Sequence, residues 1–187
     1  MKIQLRKITP SDLPAYTYWK LPQHKYHQLN GPYFRKRSAD EVEADIRLLK
    51  AALEAGKPDP LPHRRMIVNG EDELLGEVNW YWKSEETNWL EIGVVIFDEN
   101  NWGRGIGYRA LRQWIDTMFW EEPAIVRIGL TTWSGNTGMM RLAKKIGLQQ
   151  EACYRKARIV AGEYYDSISY GILREEWERK GNENGVQ

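Results

Sequence analysis

The sequence is poor in several residue types, and each scarcity narrows the chemistry open to it. One cysteine, Cys153, occurs in 187 residues, so no intramolecular disulfide can form, as is usual in a reducing compartment. The three histidines are His24, His27 and His63, and no Cys or His completes a tetrahedral set with them, so no metal is expected. Neither sign of charge is in surplus: 27 Lys and Arg face 26 Asp and Glu. That balance removes the global basic field by which nucleic acid or anionic bilayers are held, and neither is an expected partner. No apolar run nears the ~20 residues of a membrane span. The opening residues, Met1 to Arg6, lack the apolar core of a secretion signal, so a cytoplasmic protein is expected. Phenylalanine is scarce as well, with 3 against 9 Trp and 10 Tyr. Trp and Tyr bury a large ring and keep a polar handle, which suits a core, the interface of a homodimer, or an aromatic-lined substrate tunnel.

What is present reads as alternating strands and helices. Residues 2–8 alternate as a strand. Ser11 and Asp12 can cap a short helix from Leu13 to Trp19, which Pro22 ends. The stretch from Pro22 to Arg37 reads as a loop. Ser38 to Glu41 fits a capping box, and Val42, Ile46, Leu49 and Leu53 follow at helical spacing up to Gly56. Three strands come next: Arg65–Val68, Leu74–Lys83 and Trp89–Phe97, with Asn69-Gly70 as a hairpin signal. Leu111, Trp114, Ile115, Met118 and Phe119 mark one helix face, broken at Pro123. A strand over Ile125–Thr132 precedes a helix that begins near Asn136 and is capped at Gly147. Glu151–Val160 and Tyr164–Leu173 read as a closing hairpin. The expected organisation is one α/β domain over residues 1–177 and a frayed polar tail over 178–187.

The most informative segment runs from Phe97 through Asp-Glu-Asn-Asn-Trp-Gly-Arg-Gly-Ile-Gly to Tyr108. Gly103, Gly105 and Gly107 let the backbone approach a ligand and take unusual dihedrals. A helix starts immediately after them, and its free N–H groups and positive dipole end favour phosphate. Arg104 can add a charge-assisted contact. The spacing is Gly-x-Gly-x-Gly, which is not the Gly-x-Gly-x-x-Gly of a dinucleotide fold. The Gly-Lys-Ser/Thr of a nucleotide-triphosphate loop is absent. A structural glycine turn, without ligand, is the remaining alternative on these residues alone.

Trp102-Gly-Arg-Gly-Ile-Gly107 resembles the acetyl-CoA loop Q/R-x-x-G-x-G/A of the GNAT N-acetyltransferase superfamily. Trp102 stands where Gln or Arg is usual, as in the branch of ribosomal-protein N-terminal acetyltransferases. Asn136 through Leu148 is similar to the superfamily's Asn-led helix. Gly162 to Asp166 and Gly171 to Trp177 are similar to the end of the same branch. The resemblance, which covers nearly the whole chain in order, implies a single domain with a mixed, mostly antiparallel, splayed sheet flanked by helices. It implies acetyl-CoA as donor, with Trp102, Gly103, Arg104, Gly105, Ile106, Gly107, Tyr108 and Asn136 as contacts. The backbone of Val95, Ile96 and Phe97 would pair with the pantetheine arm. The stretch from Glu91 to Gly103 is one residue longer than is common in that branch, which implies a bulge or a longer loop.

The implied reaction is direct attack of a neutral primary amine on the thioester within a ternary complex. The acceptor is expected to be a small-molecule amine or a protein N-terminus. A backbone N–H near Ile96 or Phe97 would stabilise the oxyanion. Glu91, a carboxylate among apolar strand residues, is the candidate base, with Glu77 second; pairing with an arginine or facing solvent is the structural alternative for each. The tyrosine that commonly protonates the leaving thiolate is replaced by Ala143, leaving Ser134, Tyr154 or water. Asn136 can also serve simply as a helix cap, and Cys153 reads as a strand residue rather than a nucleophile. That missing acid supports a second reading, a CoA-binding sensor or interaction module without catalysis.

Overall fold

The structure is a computed structural model that describes residues 2–184. Seven strands form one sheet in the order β1-β2-β3-β4-β5-β7-β6. The chain divides into two compact units, Met1–Asn79 with Val94–Ala110, and Trp80–Gly93 with Leu111–Gln187.

In the first unit, β1 (Ile3–Arg6) pairs antiparallel with β2 (Arg64–Asn69), and β2 with β3 (Leu74–Ser84). Two helices belong to it, α1 (Leu13–Lys20) and α2 (Ala39–Glu54). The cap before α1 differs from the expected one. A 3-10 turn over Pro10–Asp12 comes first, and the Asp12 carboxylate reaches back to the Thr9 N–H at 2.7 Å. Asp12 itself is buried on the Arg6 guanidinium, 2.6 Å away. The capping box of α2 is as expected: Ser38 Oγ accepts from the Glu41 N–H, and the Glu41 carboxylate from the Ser38 N–H. The expected loop from Pro22 to Arg37 contains a 3-10 turn, Lys25–Gln28, whose Tyr26 is buried. Ile8, Tyr16, Tyr26, Leu49, Met66, Val68, Val95 and Phe97 form the core of this unit.

The turn at Asn69-Gly70 is not a two-residue hairpin. Asn69 Oδ1 accepts from the amides of Glu71 and Glu73, both at 2.9 Å, and Asp72 takes the left-handed backbone at φ 63°. The side chain of Asn69 thus organises a longer loop, as Asx residues do. The two-residue hairpin lies instead at Ala161 and Gly162, with φ 50° and 84°, directly between the paired Val160 and Glu163.

β4 (Trp89–Ile96) begins in the second unit, where it pairs parallel with β5 (Arg127–Trp133) at Leu90↔Ile128 and Glu91↔Gly129. That pairing stops at Glu91, although the strand continues through Ile92 and Gly93. β7 (Glu163–Leu173) lies antiparallel between β5 and β6 (Gln149–Val160). The helices are α3 (Ile106–Glu121), which starts in the first unit, α4 (Thr137–Ile146) and α5 (Arg174–Asn184). Leu111, Trp114, Ile115, Met118 and Phe119 are all buried, as their spacing implies. Arg174 closes α3 by donating to the carbonyls of Phe119, Glu122 and Ile125, the usual service of a cation at a helix C-terminus. α5 carries the helix past Trp177 to Asn184, where a frayed tail is expected from composition; the last three residues of that tail lie outside the described ones. Among the described residues no helix is long and apolar enough to cross a membrane.

Candidate active site

The glycine segment is built on the end of β4, inside the first unit. Phe97 N–H donates to the Leu75 carbonyl at 3.0 Å, which ties the strand end to β3. Gly76 permits this approach, since a Cβ there would fall 2.1 Å from the Val95 carbonyl oxygen. Val95 C=O and Phe97 N–H therefore face β3, and Ile96 points its backbone the other way, as alternation along a strand requires. This revises the expected oxyanion donor, because the Phe97 amide is consumed in the sheet and the Ile96 amide is the remaining one of the pair. The Ile96 carbonyl accepts from Trp102 Nε1 at 2.9 Å. The half-buried indole also packs on the core around Phe97, so Trp102 anchors the loop to the strand that precedes it.

Between them, the Asp98 side chain caps a 3-10 turn over Glu99–Asn101. Gly103 and Gly105 take φ of 75° and 76°, while Gly107 lies within α3. Only these first two glycines use a conformation that other residues resist. Ile106 is fully buried and fixes the helix start. The first amides of α3 lack intrahelical acceptors, as at any helix N-terminus, and they follow directly on Gly105. Arg104 is exposed, and Tyr108 is half-buried on the first turn of α3.

A second cation at the loop escaped the sequence reading. The Arg109 guanidinium folds back over the loop, with Nη1 3.8 Å from where a Cβ of Gly105 would stand. Its Nη2 donates to the Arg104 carbonyl at 3.2 Å, and its buried Nε meets no acceptor among the described residues. Arg109 forms no ion pair there either. Its place one helical turn beyond Gly105 is the signal that could have revealed it. A loop with two left-handed glycines, a helix start and an uncompensated guanidinium can hold an anionic group such as a pyrophosphate.

Glu91 lies in the second unit and is 2% exposed. One of its oxygens accepts from Tyr81 Oη at 2.5 Å, the other from Thr131 Oγ1 at 2.9 Å, and Thr131 meets Ser169 Oγ at 3.1 Å. Its partners are hydroxyls rather than an arginine or solvent. The glycine at 129 keeps room for it, since a Cβ there would stand 3.1 Å from Glu91 Cγ. Tyr81 and Glu91 sit five residues to either side of Glu86 in the hairpin between β3 and β4, a symmetry readable in the sequence.

Glu77, in the first unit, is 2% exposed and receives Tyr16 Oη, Lys20 Nζ and Arg64 Nη1. Burial by itself raises its pKa, but the Lys20 and Arg64 charges outweigh that and hold it below the ordinary value. It is thus paired with a lysine and an arginine, the structural alternative expected for it, and a carboxylate so held is a poor proton acceptor. Asn136 caps α4 by accepting from the Met139 N–H at 3.0 Å. Ser134 is linked to Asp166 through both its hydroxyl and its amide. Tyr154 is exposed, and Ala143 is fully buried on α4. Cys153 donates to Asp166 at 3.7 Å; lost hydration and that carboxylate raise its pKa, the opposite of a primed nucleophile.

A family model described as the acetyltransferase (GNAT) domain matches residues 2–149. YnaD of Bacillus subtilis (strain 168), an uncharacterized N-acetyltransferase, is 32% identical over 129 residues, which is 68% of this chain and 74% of that one. Spermidine N-acetyltransferase from Vibrio cholerae, solved with CoA and spermine, superposes with a TM-score of 0.72 at 17% identity, over 94% of this chain and 98% of that one. RimL, a ribosomal L7/L12 alpha-N-protein acetyltransferase solved with CoA, gives 0.69 at 19%, over 92% and 94%. At such identities the two structures establish the fold.

Proposed function

This chain belongs to the acetyltransferase (GNAT) family, and we propose that it transfers the acetyl group of acetyl-CoA to a primary amine by direct attack in a ternary complex. The observation that carries this reading is the loop from Trp102 to Gly107, with left-handed glycines, a helix start and Arg109, whose buried Nε has no acceptor among the described residues. The CoA-bound relatives support the same ligand for it. Trp102 and the closing segment around Gly162–Asp166 support a place beside the N-terminal acetyltransferases of ribosomal proteins.

In this reading the loop amides and Arg109 hold the pyrophosphate of the donor. The Ile96 amide is the donor available to the developing oxyanion. Glu91 is the base. Because its oxygens are occupied by hydroxyls, the amine proton passes to Tyr81 as Tyr81 passes its own to Glu91. No tyrosine stands at Ala143, so the thiolate leaves with a proton from water. A free thiol has a pKa of about 8.5, tolerable for a leaving group. The buried Ala143 also favours the second reading, a module that binds CoA without turning it over.

Thiol release from acetyl-CoA across a panel of primary amines separates the two. Release with at least one amine is expected, and Glu91→Gln should cut turnover by about a hundredfold while CoA affinity holds. Tight CoA binding without release from any amine would establish the module instead.

A further inference from the structure

From Lys20 to Ser38 the chain carries Lys20, Lys25, Arg35, Lys36 and Arg37 and no aspartate or glutamate. Its carboxylate partners come from elsewhere in the first unit: Glu77 for Lys20, Glu99 for Lys25, Glu41 for Arg35 and Asp45 for Arg37. Arg64 is a sixth cation, and it shares Glu77 with Lys20. Five of these six cations therefore share four carboxylates. Lys36 is exposed and forms no ion pair among the described residues. The surplus is local, since the chain as a whole is near neutral.

The shared carboxylate sits beneath its cations. Glu77 is 2% exposed, whereas the Lys20 and Arg64 side chains are 22% and 37% exposed. Glu77 thus fixes both cations in place and neutralises one charge of the two. Arg64 gives Glu77 only Nη1, and its other guanidinium donors have no partner among the described residues. This pair lies beside the strand end assigned above to the donor. Lys20 Nζ is 5.8 Å from the Phe97 ring centroid and 4.9 Å from that of Tyr16. Trp19 stacks on Phe97 at 6.1 Å. Phe97 itself is buried, so the two cations stand at the edge of the core that carries the strand end.

A field of this sign repels a polycation and draws in a molecule with negative charge. An arginine with free fork donors is suited to a carboxylate. Resting on the acetyltransferase reading, we propose that the acceptor is an amine bearing a carboxylate near its reactive nitrogen, held by Arg64 and Lys20 and steered by Lys36. A free amino acid and the N-terminus of an acidic peptide share this chemistry.

The test uses the full chain, acetyl-CoA and matched acceptors. These are an α-amino acid and its amide; one peptide with two aspartates, two asparagines or two lysines after the first residue; and spermidine. The acidic member of a pair should show kcat/KM about tenfold above its neutral partner, with the lysine peptide and spermidine lowest. Which acidic member leads tells a small acceptor from a chain terminus. Arg64→Gln and Lys36→Glu should each shrink the preference through KM, while an unchanged CoA affinity shows that the variants are folded. Acidic and neutral acceptors within twofold of each other, a preference for the cationic ones, or a preference that survives both substitutions would overturn the proposal alone. No release from any amine, with CoA bound, would sink the acetyltransferase reading and this proposal with it.

Discussion

Gly105 holds φ at 76° without crowding, its nearest neighbour being the Arg109 guanidinium at ordinary contact distance. A side chain there meets a conformational cost of roughly 1–2 kcal/mol and little steric one. Gly105→Ala should therefore lower CoA affinity by about tenfold, the equivalent of about 1.4 kcal/mol, measured by titration calorimetry. Unchanged affinity would detach the loop from the donor. The shape of the loop was legible, because closely spaced glycines ahead of a helix announce left-handed backbone and a helix start. Arg109 was not, since a cation on a helix is ordinary until its back-folding and missing partner are seen. Glu91 stood out as a charge in an apolar strand, but its hydroxyl partners come from β3 and β5, which only pairing brings together.

At the level of elements, helices and strands were readable from spacing, and turns less so. Two positive-φ positions can be taken by Ala161-Gly162 without a partner, whereas the Asn69 side chain redirected its own turn. Composition suggested fraying after Trp177, yet Trp177 Nε1 donates to Asp116 at 2.6 Å and secures the start of α5. The approach of β3 to β4 depends on Gly76, where a methyl group would collide with backbone rather than with a movable side chain. Gly76→Ala should cost about 3 kcal/mol, the upper end for overpacking, in urea denaturation. Gly70→Ala, with nothing within 4 Å, should stay within about 0.5 kcal/mol. Equal effects would contradict the close strand contact.

For the molecule as a whole, acid stability follows from its buried carboxylates. Burial raises the pKa of Glu77, and Lys20 and Arg64 more than reverse it, leaving it below the ordinary 4.5. Burial likewise raises Asp12, and Arg6 reverses it, leaving it below 3.8. The unfolded chain then takes up protons first as pH falls, so Glu77 stabilises the fold above 4.5 and Asp12 above 3.8, and each contribution is lost below its own value. Urea midpoints should fall slightly below about pH 6.5, because burial holds the His27 pKa under its ordinary value, and more steeply below about 4.5, with a shallower steep limb in Glu77→Gln; an equally steep one would exclude Glu77 as the cause. The sheet order and the division into two compact units were not legible, because both depend on contacts remote in sequence. The first unit takes Val94–Ala110 from beyond Trp80–Gly93, which belong to the second. On a ribosome, then, the first unit lacks its last piece until Ala110 has emerged, by which point part of the second is already out. Neither unit is a contiguous stretch of gene, so no single recombination breakpoint can deliver one without a fragment of the other.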